Sequence, residues 1–183
     1  MTENKLPTLA ELYEIEAAEK AFKQDSFNWL MNQEPKKEWI KVNQYAGNSR
    51  YIPIGIIETL LQKIFKNPRI EVLREGVMFN AVYVCIRLHY LNPASNSWEF
   101  QDGLGAQELQ TKSGASAADL ASINKGAVMM ALPIAESYAV KDASEKIGKL
   151  FGRDLNRKDT MGFAPDANLS NIMSNADKLK QHD

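Results

Sequence analysis

The chain has 183 residues, 44% of them hydrophobic and 25% charged, which fits one globular domain with tails and predicts a buried core. No apolar run approaches the roughly 18–20 residues of a bilayer span, and the acidic N-terminus does not read as a secretory signal. A single cysteine, Cys85, rules out an intramolecular disulfide and fits a reducing, cytoplasmic setting.

The net charge of −1 is unevenly spread. Residues 1–34 carry three lysines against seven acids, whereas residues 35–160 carry 17 basic and 13 acidic side chains. An acidic arm ahead of a basic body points to a core that binds a polyanion, or to a soluble protein with ordinary scatter of charge. The expected organisation is an acidic helical arm (1–34), a folded domain (35–159) and a flexible tail (160–183).

In chain order, Leu9, Leu12, Tyr13, Ile15, Ala18 and Phe22 recur near the helical period, which predicts a helix over 8–31 that Pro35 ends. Its apolar face needs a partner, either its own domain or a neighbouring subunit. An extended segment and turn should follow between Trp39 and Arg50. A second helix is expected from Pro53 to Phe65, with Ile57, Leu60, Leu61 and Ile64 as its buried stripe. Next come a short strand at 70–73, a tight turn at Glu75-Gly76, and a long strand at 77–91 rich in β-branched and aromatic residues. Alternation along that strand puts Val82, Val84, Ile86, Leu88 and Tyr90 on the helices. Ala81, Tyr83, Cys85, Arg87 and His89 then face solvent or another subunit. The position of Cys85 within an apolar strand predicts a packed, inert thiol.

After a turn at 92–97, a third strand is expected over Trp98–Ala106, then a mobile polar loop at 110–118. Helix is expected from Asp119 to Leu132. Pro133 should restart or kink it, and it should continue to Phe151, with Gly152 as a left-handed cap. Its last part pairs an apolar stripe (Ala139, Ala143, Ile147, Leu150) with a basic side (Lys141, Lys146, Lys149). The fold class predicted is therefore α+β. A helix precedes a three-stranded antiparallel sheet, which packs on a long C-terminal helix.

Catalytic chemistry is hard to assemble from these residues. Two histidines and one cysteine cannot make a Cys/His zinc site. Gly103-Leu-Gly105 lacks the third glycine of a dinucleotide loop and reads as a place where the third strand ends or bends. A metal-dependent nuclease using Glu71, Glu99 and Asp102 is the enzymatic alternative; a protein-binding assembly or adaptor subunit is the other. Lys146 and Lys149 stand three apart, with Arg153, Arg157 and Lys158 following. Such lysines complement the C-terminal end of a helix dipole, or they track phosphates.

Residues 51–158 resemble the annealing domain of the Rad-fifty-two superfamily, which includes the eukaryotic recombination mediator, phage Sak proteins and ERF proteins. The resemblance rests on Tyr51-Ile52 opening a helix that ends at Phe65, the strand hairpin, and Asp102-Gly-x-Gly105. It continues through Ala139-x-x-Asp142-Ala143 and Phe151-Gly152-x-x-Leu155. It implies a phage or prophage recombination protein that forms homo-oligomeric rings or filaments. Such a protein binds single-stranded DNA in a basic groove and anneals complements without nucleotide hydrolysis or any cofactor. An exonuclease or a single-strand-binding protein would be its partner. Carried over by position, Lys146 and Lys149 match basic groove residues and Lys112 loosely matches a second basic position. Glu145 and Ile56 depart from basic positions of the eukaryotic member, so Lys66, Arg69, Arg87, Lys112 or Arg153 would supply the missing charge.

Overall fold

Between Ala81 and Leu91 every second side chain is buried: Val82, Val84, Ile86, Leu88 and Tyr90. That strict alternation is the pattern of a strand with one face on a core, and the rest of the fold is arranged around it. The computed structural model describes residues 9–116 and 118–160. The elements are helix α1 (Leu9–Met31), a small hairpin of β1 (Lys41–Asn43) and β2 (Ser49–Tyr51), and helix α2 (Ile54–Phe65). Strands β3 (Arg69–Met78), β4 (Ala81–Leu91) and β5 (Trp98–Glu108) follow, and then helix α3 (Ala127–Ile147). The three long strands form an antiparallel sheet in the order β3-β4-β5, and α3 lies over β4 and β5. The fold is the α+β arrangement that the periodicities predict. The expected flexible tail lies outside the described residues, apart from Thr160.

Helix α2 buries Ile57, Leu61 and Phe65, one residue every turn. Phe65 is the hub of the core. Its ring lies 4.6 Å from Tyr90 of β4, 6.1 Å from Phe27 of α1 and 6.5 Å from Phe151, just past α3. Four segments distant in sequence are thus held by aromatic packing. Among its described side chains, helix α1 joins this core through its C-terminal end: Met31 is buried and Phe27 packs on the cluster, while residues 14–20 are all exposed.

Helix α3 seats on β5 because that strand carries glycine where the helix crosses. A Cβ on Gly103 would stand 2.0 Å from the Ala139 carbonyl oxygen, and one on Gly105 would stand 2.0 Å from that of Ala135. The small side chains of Ala135, Ala139 and Ala143 are fully buried in the seam. Contrary to the expectation from sequence, these glycines neither end nor bend the third strand; they lie inside it and admit the helix backbone.

Three further boundaries differ from expectation. Glu75-Gly76 is strand, not turn: Gly76 pairs with Tyr83, whose ring packs where a Cβ would be, at 2.9 Å. The chain reverses instead at Phe79-Asn80, where Phe79 adopts φ 54°, a turn hand that suits strand twist. The register slips between Val72 and Arg74, a bulge centred on Leu73. Helix α3 begins at Ala127 rather than Asp119, because local bonds compete with helix over 119–126. The Asp119 carboxylate accepts from the Ala121 N–H at 3.1 Å, and Gly126 takes a left-handed φ of 80°. The 110–118 loop is tied back by Lys112 N–H to the Ser122 carbonyl and Asn124 N–H to the Gln110 carbonyl, both 2.9 Å. Pro133 neither restarts nor breaks α3, which runs through it. The helix stops at Ile147 rather than Phe151; Gly148 separates it from a short 3-10 turn, Lys149–Phe151, that Gly152 closes in the left-handed region at φ 103°.

Candidate nucleic-acid interface

The basic residues singled out in the sequence do not form one furrow. Lys146 sits on α3 beside the free edge of β5. Its ammonium donates to the Asp102 carbonyl at 2.6 Å and to the Asp142 carboxylate at 2.8 Å. Asp142 in turn accepts from the Leu104 N–H at 3.0 Å. An outward carbonyl and an outward N–H of the edge strand are thereby satisfied by two helix side chains, which blocks pairing with another strand there. The Asp142–Lys146 spacing is also the favourable i,i+4 order.

Lys149 is not on display. It is 6% exposed and its ammonium lies 3.1 Å from Asp154 and 4.0 Å from Glu34. The expected basic side of Lys141, Lys146 and Lys149 is therefore divided, because the helix ends at Gly148 and the 3-10 turn swings Lys149 inward. Asp154 collects Arg153 at 3.8 Å and Arg157 at 3.5 Å as well, and Arg153 also donates to the Asn32 side chain at 2.9 Å. This cluster ties the root of α1 to the end of the domain. Lys112 is exposed in the loop after β5. Lys66 lies at the end of α2, sharing a 290 Å³ cavity with Arg69. Arg87 is on the sheet face away from α3, where it pairs with Asp102 through two bonds of 2.7 and 2.9 Å. That hydrogen bonding raises the Arg87 pKa and lowers that of Asp102.

Charge and aromatic surface converge elsewhere, at a cleft between the β1–β2 hairpin and the second half of α3. It is open, measures 450 Å³ and is lined by Arg50, Tyr51, Tyr138, Lys141, Glu145 and Asn156 among others. The hairpin is held against the segment that follows α3 by a two-way clamp. The Arg50 N–H donates to the Asn156 side-chain oxygen at 2.8 Å, and the Asn156 amide donates to the Arg50 carbonyl at 2.8 Å. The Arg50 guanidinium donates to the Leu155 carbonyl. Lys141 stands 5.0 Å from the centre of the Tyr51 ring and 5.5 Å from that of Tyr138, a bracketed cation. Burial holds Lys141 below the ordinary lysine range, opposed by Glu145. Burial, with Asp142, lifts Glu145 above the ordinary carboxylate range, opposed by Arg157 and Lys141.

Lys141 was legible as a basic helix residue, but Arg50, Tyr51 and Tyr138 were not legible as its neighbours. Only the aromatic-plus-cation composition around residues 50–51 could have hinted at them. The acids of the nuclease alternative do not converge either. Glu71 and Asp102 lie on the outer sheet face with Arg87, whereas Glu99 pairs with inward-facing Tyr90 and accepts from Asn92 at 2.7 Å. Among the described residues no group of three His, Cys, Asp or Glu side chains could hold a metal ion, and no helix is long and apolar enough to cross a membrane.

No family model matches the chain, and no curated protein matches it.

Proposed function

We propose that the protein binds single-stranded DNA along its backbone and promotes annealing to a complement, as a homo-oligomer and without nucleotide hydrolysis. The observation that carries this reading is the open cleft, lined by Arg50, in which Lys141 stands against two tyrosine rings. Sequence-independent binding of a single strand needs that combination: cations for phosphates and π-faces for bases. The resemblance of residues 51–158 to single-strand annealing proteins of the Rad-fifty-two superfamily supports the same reading. On this view the strand is held extended with bases exposed, pairing supplies the free energy, and the protein reduces strand repulsion and the entropic cost of alignment.

Each subunit offers few cations, so affinity would come from repetition along an assembly. Two surfaces support assembly. Residues 14–20 of α1 stand exposed, Ile15 among them. Ile70, Val72 and Val77 pair with inward-facing residues of β4, yet remain 45–60% exposed. Glu75, opposite Val84, shares that side, so the three form an apolar strip broken by one acid.

Annealing of two complementary oligonucleotides in EDTA tests the function, and Lys141→Gln tests the site. The substitution should weaken binding and reduce the slope of log affinity against log salt by about 0.7 for each phosphate that is no longer neutralised. An unchanged slope and affinity would remove the cleft from the interface. A folded protein that ignores unpaired oligonucleotides at low ionic strength would end the proposal.

A further inference from the structure

We infer that the outer face of the β3-β4-β5 sheet is a stacking platform for unpaired nucleobases, with Trp98 and Phe100 as its rings and Lys66 and Arg69 as its phosphate contacts. The inference rests on the single-strand reading above but uses a different surface from the cleft.

Trp98 and Phe100 occupy alternate positions of β5 opposite Leu91 and His89, so both point away from α3. They are 52% and 53% exposed. The solvated face of an antiparallel sheet ordinarily carries polar residues, and two large rings two residues apart on an edge strand stand out against that pattern. Strand geometry sets them about 7 Å apart, so successive planar groups can lie on successive rings. Each ring already meets a planar cation. The Arg69 guanidinium is 5.2 Å from the Trp98 ring centre and that of Arg87 is 4.1 Å from the Phe100 ring centre. A surface whose ring faces accept guanidinium groups has the geometry to accept a base.

The charges around the rings are not equivalent. Glu71 is engaged by His89 at 2.9 Å, and Asp102 by Arg87. Lys66 and Arg69 make no ion pair with any other described residue, so they provide the uncompensated positive charge. They also lie along a path. The 290 Å³ cavity at Lys66 and Arg69 adjoins a 450 Å³ cavity at Arg69, Glu71, His89 and Trp98, with Arg69 common to both. That path runs from the end of α2 onto the aromatic face. Interleaved cations and rings favour a nucleic acid over an apolar protein partner.

The test compares oligothymidylate with an abasic strand of equal length, which keeps the phosphates and removes the bases. The intact protein should prefer the base-bearing strand by roughly tenfold or more. A Trp98→Leu, Phe100→Leu double variant, which keeps apolar cover on the sheet, should lose most of that preference. Its abasic affinity and salt slope should stay unchanged, and Trp98→Tyr should retain much of the preference. A preference that survives the double variant overturns the inference. So does a fall in oligomer mass with the preference intact, which would assign the face to a protein contact. If the intact protein binds neither strand, the single-strand reading itself fails; if it binds both equally, only the platform does.

Discussion

The two edges of the sheet are finished in opposite ways. At β5, Gly103 and Gly105 let α3 come down onto the backbone, and Asp142 and Lys146 satisfy outward-pointing groups of the strand. At β3, the strand is longer than its sequence suggests and carries a bulge, and its helix-side apolar row stays exposed. One edge is closed by the chain itself, and the other is left for something else. Open edge against open edge would give a closed pair, whereas rings or filaments need that edge to meet a different surface of the next copy.

The sharpest way to break this comparison is at the seam. Gly105→Val would force a side chain into the Ala135 carbonyl, and we expect a loss of about 3 kcal/mol or more in urea unfolding. A loss under about 1 kcal/mol would mean that the close approach is not what seats α3. Next in size is Asp154→Ala, which takes the nearer carboxylate from buried Lys149 and should cost about 3 kcal/mol. A stability-neutral result would show that Asp154 is not what holds Lys149 in place. On the open side, Val72→Glu with Val77→Glu should leave the stability of the isolated subunit within about 0.5 kcal/mol per site. The same pair should shift sedimentation towards monomer, and oligomers of unchanged size would show that this row is not a subunit contact.

The smallest effect concerns Glu145. Its carboxyl is raised by burial, so the folded state holds this proton more tightly than the unfolded chain does. The associated stability is complete below the ordinary carboxylate range and is lost as pH rises through the raised value. Glu145→Gln should therefore match the parent near about pH 4 and gain on it towards about pH 7 in urea midpoints. A gap that closes with rising pH would reverse the assigned sign. The same variant should bind single strands slightly more tightly, because it removes an acid from the cleft.

Much of the fold was legible because its determinants are local. The alternation of β4 and the stripe of α2 need only neighbours in sequence. The motifs Asp102-Gly-x-Gly105 and Ala139-x-x-Asp142-Ala143 were also visible, but their meaning was not. They meet across the seam as glycine against alanine and Asp142 against the Leu104 N–H, a matter of packing rather than strand binding. The Phe79 turn was hidden because Gly76 looks like the reversal until the Tyr83 ring is placed over it. The cleft was hidden more deeply. Arg50 and Lys141 are 91 residues apart, and the hairpin that brings them together has strands of three residues each, too short to show a period. Lys149 misled because a helix ending at Phe151 would have turned it outward, whereas the break at Gly148 turns it in.

That same Gly148 also aims the arm. Its φ of 176° is open to any residue, but a Cβ there would stand 2.2 Å from the Met31 carbonyl oxygen. The heading on which α1 leaves the body is therefore set at its root, by this backbone approach together with buried Met31 and packed Phe27. A methyl at position 148 would force one of the two backbones to give way, so this glycine keeps the root of α1 close to the end of α3.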